Sequence, residues 1–507
     1  PYELELADFG IYLPEVPYES FKRACQARGR NSPLHGHWAV LDHFGKYWFN
    51  PKKPVGRLAI CDRAIREDCP HPIKWQGTLT QLRRAHQWVR EQQHWPYPVT
   101  QGRLDFDCLI DRAKRYTKDN GVSFELAYPT WIRRNLRELV QAMQAPEAQI
   151  LEERLADIVF DLSRLLRNNA AFARERRQYP EIEREEITRP VFIVGINRTG
   201  TTYLHRLMAR DERFWALRGY EYDEPLPSKG DYAVKGGTPD DPRRARVEEM
   251  FKAPKIAEVL EGVHDFDVDE PEEDFPILRM AFASWTTTAR FHIPQFGRWL
   301  AANGSGEAYA YHRRSMQHFT WHRRQRQPRH KGHWLFKMPF HLMELEALIK
   351  TYPDALFIQT HREPSQFMGS WNSFVERARS ISSEPRPPHD LGAELLSFMG
   401  GMMERAVDFR SAHPELESRW MDVNYFDLIE DPFGVVRRIY QHFGWTLEQG
   451  AVDAMEEWQF RQAEKQRSQK RHRYALEDYG LTPEAVNAAF KRYRDFLPTR
   501  GIRTSRS

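Results

Sequence analysis

The stretch that most constrains the fold is Val191-Phe-Ile-Val-Gly195-Ile-Asn-Arg198-Thr199-Gly200-Thr201-Thr202-Tyr203. Val191 to Val194 is a short, fully apolar, β-branched run, as expected of a parallel strand covered on both faces. The run breaks at a glycine, passes through small residues, and enters a helix expected from Tyr203 to Met208. Such a strand–turn–helix aims backbone N–H groups and the positive helix end at one spot, a cradle for a phosphate-like anion. Arg198 adds a fork of donors, and the hydroxyls of Thr199, Thr201 and Thr202 add more.

The rest of the chain supplies partners for that strand. Trp334-Leu-Phe-Lys337 and Ala355-Leu-Phe-Ile358 read as further buried strands, and Trp420 to Tyr425 as a fourth. Helical periodicity from His341 to Lys350 lies between two of them. Asp431-Pro432 marks a helix start, and Gly444 is placed to end that helix. Strands alternating with helices predict a three-layer α/β fold, P-loop-like, with a central parallel sheet flanked by helices. We place this domain at residues 188–507, behind a mainly helical N-terminal region at 1–187. Helices are expected there over Leu82 to Gln92, over Phe124 to Met143, and as one long helix from Pro146 to Arg177.

The 507 residues suffice for a large core, and 75 basic against 71 acidic side chains give a net charge of only +4. That balance excludes a histone-like nucleic-acid coat, so nucleic acid is not an expected partner. No apolar run approaches the roughly 18 residues of a membrane span. The start of the chain lacks the apolar core of a secretory signal. Cys25, Cys61, Cys69 and Cys108 form no CxxC pair, which favours reduced structural thiols and a cytoplasmic location.

The glycine-rich turn is similar to the G-x-x-x-x-G-K-[ST] loop of nucleoside-triphosphate enzymes, but Thr201 stands where the lysine belongs. It more closely resembles the 5′-phosphosulfate loop of the sulfotransferases that use 3′-phosphoadenosine 5′-phosphosulfate. Their Lys-Ser-Gly-Thr-Thr corresponds to Arg198-Thr199-Gly200-Thr201-Thr202 here, an Arg variant common in bacterial-type members. The resemblance runs from about Pro190 to the C-terminus. It implies a 3′-phosphate site at Arg362, which ends a strand, and at Ser370, eight positions later in the second turn of the next helix. It also implies that Tyr425, in Val423-Asn-Tyr425-Phe-Asp427, and Tyr203 flank the adenine. His472 and Arg473, in a basic segment at Gln469 to Tyr474, are implied as a closing contact on the 3′-phosphate.

For the chemistry, Lys337 resembles the lysine that ends a neighbouring strand in the family, and with Arg198 it is expected to neutralise the transferring group. His341 is an expected general base, since a histidine follows that lysine in several members, though at a spacing of two rather than four. Glu270 and Glu273, in His264-Asp-Phe-Asp-Val-Asp-Glu270-Pro-Glu-Glu273-Asp, are rival bases, while most of this acidic run is expected to be solvated. The run does not suit calcium, because Glu270 replaces the loop glycine and Pro276 the twelfth-position glutamate. The reaction implied is in-line sulfuryl transfer to a hydroxyl, less readily an amine, of a small molecule, with adenosine 3′,5′-bisphosphate as product and no metal required. The aromatic content suits a hydrophobic or ring-containing alcohol. A homodimer is compatible with the sequence. The alternatives are a P-loop nucleotide kinase or NTPase, and a non-catalytic nucleotide-binding protein.

Overall fold

The computed structural model describes residues 104–222, 225–226, 241–251, 266–303, 306–327, 332–466 and 474–503, together with strands at 2–5, 56–60 and 73–77. The expected Leu82–Gln92 helix, Cys25, Cys61, Cys69, His472 and Arg473 lie outside these residues. By contacts the chain divides into two compact units. The first comprises Pro1–Tyr116 and Ile150–Arg167, the second Thr117–Gln149 and Asn168–Ser507. In the first unit β1 (Tyr2–Glu5), β2 (Gly56–Ile60) and β3 (Ile73–Gly77) form an antiparallel sheet in the order β1-β3-β2. The sequence reading did not include this sheet.

After residue 104 the chain is helical up to the central sheet. It forms α1 (Phe106–Asn120), a short turn of helix at Phe124–Ala127, α2 (Thr130–Gln144) and α3 (Leu155–Gln178). The expected helix over Phe124 to Met143 is split at Pro129, which lacks an N–H to continue it. The expected Pro146–Arg177 helix also starts late. Pro146–Ala148 is a single 3-10 turn, Gln149 adopts a left-handed φ of 44°, and the regular helix begins only at Leu155.

The second unit is built on five parallel strands. They are β4 (Val191–Gly195), β5 (Phe214–Trp215), β6 (His333–Lys337), β7 (Leu356–His361) and β8 (Trp420–Asn424), in the order β5-β6-β4-β7-β8. The central β4 places Ile193 opposite Lys337 on one side and Ile358 on the other, and Gly195 opposite Thr360. Around the sheet lie α4 (Thr201–Met208), α5 (Pro294–Asn303), α6 (Gly306–Arg326), α7 (Met368–Ser380), α8 (Pro388–Ala412), α9 (Pro432–His442) and α10 (Gln449–Gln466).

Alternation along the strands feeds two different cores. Val191, Ile193, Leu335, Ile358 and Val423 pack against Leu204 and Leu207 of α4, Val435 and Ile439 of α9, and Met455 and Trp458 of α10. Phe192, between two of those residues, points the other way and meets Phe336 at 4.9 Å and Phe357 at 5.9 Å. Phe319 of α6 lies against Trp334 on that second face. Both faces are covered, so β4 is buried at every position, and each buried Val or Ile contributes about 1.5–3 kcal/mol. The α9 boundaries follow the expected signals. Asp431 accepts from the Gly434 N–H at 2.8 Å, Pro432 opens the helix, and Gly444 takes a left-handed φ of 71° beyond its end.

Candidate active site

In an open parallel sheet the crevice beyond the strands' carboxyl ends is where ligands bind, and β4, β6 and β7 deliver the candidate residues there. The turn after β4 is tightly determined. A Cβ on Gly195 would lie 2.4 Å from Thr360 Oγ1, and one on Gly200 would lie 2.8 Å from Leu428 Cδ2. Gly195 and Gly200 have φ of 145° and 87°, a region side chains rarely adopt. Arg198 adopts φ 72°, uncommon for a residue with a side chain and characteristic of functional turns. The Thr199 hydroxyl is fully buried and bonds inward, to the Ile196 carbonyl at 2.5 Å and Thr360 Oγ1 at 2.6 Å. It therefore pins the turn rather than facing a ligand. Beyond it α4 starts at Thr201, and its first N–H groups have no intrahelical acceptor.

Arg362 follows β7 and reaches back to the turn. Its Nη1 donates to the Arg198 carbonyl at 2.9 Å, and its guanidinium lies 4.1 Å above the Tyr425 ring. Burial pushes the Arg362 pKa down, and the neighbouring Arg198 charge acts the same way. Tyr425 also sits against Gly200, 3.5 Å from where a Cβ would be. Ser370 is buried as the third residue of α7, in the first turn rather than the second. Tyr203 lies on the α4 side, its ring 5.5 Å from Trp458 and its hydroxyl accepting from Gln459 at 2.9 Å.

Lys337 ends β6 with its side chain almost completely buried. Its Nζ donates to Glu273 Oε1 at 2.7 Å and to Thr202 Oγ1 at 3.2 Å, which links β6, the acidic segment and the helix start. The acidic segment is not solvated as expected. Glu270 pairs with Arg210 at 2.6 Å and accepts from the Trp458 indole at 3.1 Å. Glu272 is buried against Arg206 of α4 at 2.8 Å. Backbone bonds from Gly219 to Glu270 and from Glu272 to Leu217 hold the segment to the chain beyond β5. Alternate acids thus bolt the segment to α4 and the turn after it, and Glu273, between Glu272 and Asp274, keeps 20 % of its side chain exposed.

Asp274 is the centre of a buried relay. His341 Nε2 lies 3.0 Å and His312 Nε2 2.9 Å from its carboxylate. The other ring nitrogens meet Tyr309 and Tyr352 hydroxyls, each at 2.7 Å. Burial opposes the Asp274 charge, but His341 and His312 more than offset it and hold the carboxyl well below the carboxylate range. Burial pushes His312 down. His341 is fully buried in a 3-10 turn at Pro339–Met343, not a regular helix, and both its ring nitrogens are engaged. The sequence reading passed over Arg206, Glu272, Asp274 and Thr360. The period-two spacing of Glu270 and Glu272 against Arg206 and Arg210, four apart, was the available signal.

The turn with its two glycine cradles, the free N–H groups at the start of α4, Arg362 and the buried Ser370 hydroxyl fit a ligand carrying two separate anionic groups. Among the described residues, no group of three or more His, Cys, Asp or Glu side chains is arranged to hold a metal ion, and no helix is long and apolar enough to cross a membrane.

Comparison with known proteins follows this geometry. The profile of the sulfotransferase family matches residues 190–449. A relative named omega-hydroxy-beta-dihydromenaquinone-9 sulfotransferase Stf3, from Mycobacterium tuberculosis, is 26 % identical over 273 residues, which is 50 % of this chain and 62 % of that protein's length. The chain thus spans under two thirds of that relative. The crystal structure of sulfotransferase STF1 from Mycobacterium tuberculosis superimposes with a TM-score of 0.60 at 29 % identity, covering 76 % of this chain and 97 % of the other. Sulfotransferase STF9 from Mycobacterium avium shares the fold, with a TM-score of 0.62 at 22 % identity over 78 % of this chain and 97 % of its own.

Proposed function

This chain belongs to the sulfotransferase family, and from that premise we propose that it moves a sulfuryl group from 3′-phosphoadenosine 5′-phosphosulfate to the hydroxyl, less readily the amine, of a small apolar or ring-containing acceptor. The observation that carries this reading is the meeting of the Gly195–Thr202 turn with Arg362 on one side and the Lys337–Glu273 pair on the other. Bound there, the donor supplies a sulfuryl group already activated by its phosphosulfate anhydride. Arg198, the α4 N–H groups, Thr201 and Thr202 hold the 5′ end, Arg362 and Ser370 hold the 3′-phosphate, and Tyr425 and Tyr203 flank the base. His472 and Arg473 remain assigned to the same 3′-phosphate.

Glu273 is the base in this account. Glu270 is tied to Arg210 and Trp458, and His341 has no open lone pair, which leaves Glu273, one-fifth exposed, as the carboxylate beside Lys337. It takes the acceptor's hydroxyl proton, while the Lys337 ammonium opposes negative charge that builds during transfer. His341 and Asp274 are positioning residues that fix the segment carrying Glu273. The hydroxylated quinone in the name of the mycobacterial relative exemplifies an apolar alcohol of this class.

Incubation of the chain with radiolabelled donor and a panel of apolar alcohols tests the reading. Donor-dependent sulfate ester and thermal stabilisation by adenosine 3′,5′-bisphosphate above that by ATP are expected. Stronger stabilisation by ATP with magnesium-dependent phosphate release would instead favour the kinase or NTPase alternative.

A further inference from the structure

The described residues line a partly open cavity of about 400 Å³ among α5, α7 and α8 that shares no residue with the Gly195–Thr202 turn, Arg362 or the Lys337–Glu273 pair. Its volume falls within the ordinary range of small-molecule sites. Much of its wall is ring and hydrocarbon, from Trp285, Ile293, Leu395, Phe398 and Met402. The polar groups on this wall are unusual in being mostly donors. Arg298 of α5 and Arg405 of α8 are exposed at the cavity, and among the described residues neither pairs with a carboxylate. Arg405 only approaches the Met343 carbonyl, at 3.5 Å.

Two further donors are buried without acceptors. Trp371 of α7 is 2 % exposed, lines the cavity, and its indole N–H has no partner. Arg379, also on the wall, is gripped by Glu394 at 2.7 Å and by the Thr288 carbonyl at 2.8 Å, yet its Nε–H is unpartnered. The wall's carboxylate, Glu394, is already neutralised by Arg379 and Arg386. Both of these N–H groups are closed to a ligand in the cavity, so the head group is set by Arg298 and Arg405. Cations without a carboxylate partner beside an apolar wall select a ligand with an oxyanion at one end and hydrocarbon at the other.

We propose that this cavity binds a single-chain amphiphile with an oxyanion head, an alkyl carboxylate or an alkyl sulfate. The site shares no lining residue with the proposed transfer centre, and the proposal does not depend on the acceptor's identity. Calorimetry with decanoate, decyl sulfate and decanol, each below its aggregation concentration, tests it on the full chain. One site per chain is expected, with the anions bound at least tenfold more tightly than decanol. A preference between the two anions tells a fatty-acid ligand from a sulfated one. The double variant Arg298→Ala/Arg405→Ala should lose at least tenfold in anion affinity and leave decanol unchanged.

Gly401 of α8 also lines the cavity, and a Cβ there meets nothing within 4 Å, so Gly401→Phe should fill the space and abolish binding of all three. Thermal stabilisation by adenosine 3′,5′-bisphosphate reports that each variant is folded. Equal affinity for decanol and the anions, no saturable binding, or unchanged anion affinity in the folded double variant would overturn the proposal.

Discussion

Replacing Arg362 separates two roles that one side chain combines. Its guanidinium supports the turn, through the 2.9 Å bond to the Arg198 carbonyl and the 4.1 Å contact with the Tyr425 ring. It is also the proposed partner of the 3′-phosphate. A bond to a neutral carbonyl contributes about 0.5–1.5 kcal/mol, and a fork onto a charged phosphate about 1.5–3 kcal/mol. Arg362→Ala should thus weaken adenosine 3′,5′-bisphosphate by about 2–4 kcal/mol, a thirtyfold to several-hundredfold loss at about 1.4 kcal/mol per decade. Adenosine 5′-monophosphate lacks the 3′-phosphate, so it should lose only the turn-support part, severalfold to about tenfold. Arg362→Lys should recover part of the difference, because the charge returns without the fork or the ring stacking. Titration calorimetry with both nucleotides on all three proteins measures this directly. Equal losses for the two nucleotides would refute the 3′-phosphate assignment and leave Arg362 a structural support.

Three further outcomes follow from the geometry. Gly200→Ala places a methyl 2.8 Å from Leu428 Cδ2 at φ 87°, so about 1–2 kcal/mol of backbone strain adds to the overpacking, and both melting temperature and bisphosphate affinity should fall; unchanged calorimetric and melting curves would contradict the cradle. His205 of α4 is fully buried, its pKa pushed down to about 3 by burial and by the Lys337 charge. A lowered histidine pKa means the unfolded chain takes up a proton near pH 6.5 that the folded one refuses, so stability falls as the pH drops below that value, by about 2 kcal/mol at pH 5. Denaturant titrations of His205→Gln should show a flatter decline over pH 7 to 5, and parallel curves would refute the assignment. His341→Gln should lower thermal stability and, by loosening the segment that carries Glu273, slow transfer per folded molecule only in part; complete loss of turnover in a folded variant would return the base to His341.

Much of the architecture is legible because it is local. A four-residue, β-branched apolar run between Pro190 and Gly195 reads as a strand covered on both faces, and Asp431-Pro432 with Gly444 brackets α9 within three residues of its ends. Arg198, Gly200, Lys337 and Arg362 are readable as candidates for an anion site because glycines and strand-ending cations leave their mark in sequence. The acidic run is harder, since its partners are remote: Arg210 lies 60 positions from Glu270, and Arg206 lies 66 from Glu272. Without those partners, the carboxylates bolted to arginines and the one beside Lys337 look alike. The setting of His341 is hidden for the same reason, because Tyr309 and Asp274 reach it only through the fold. The late start of α3 turns on the left-handed Gln149, a conformation for which glutamine carries no signal.

The central claim, that Glu273 beside Lys337 removes the acceptor's proton, is tested most directly by Glu273→Gln. The amide keeps the shape and a hydrogen-bond acceptor for Lys337 Nζ, now 2.7 Å from Glu273 Oε1, but cannot take a proton at neutral pH. Single-turnover transfer from labelled donor, measured alongside calorimetric bisphosphate affinity, should show at least a hundredfold slower transfer with affinity within about threefold of the parent, the loss expected on removing a general base. Transfer at the parent rate in a protein that binds the bisphosphate normally would contradict the account.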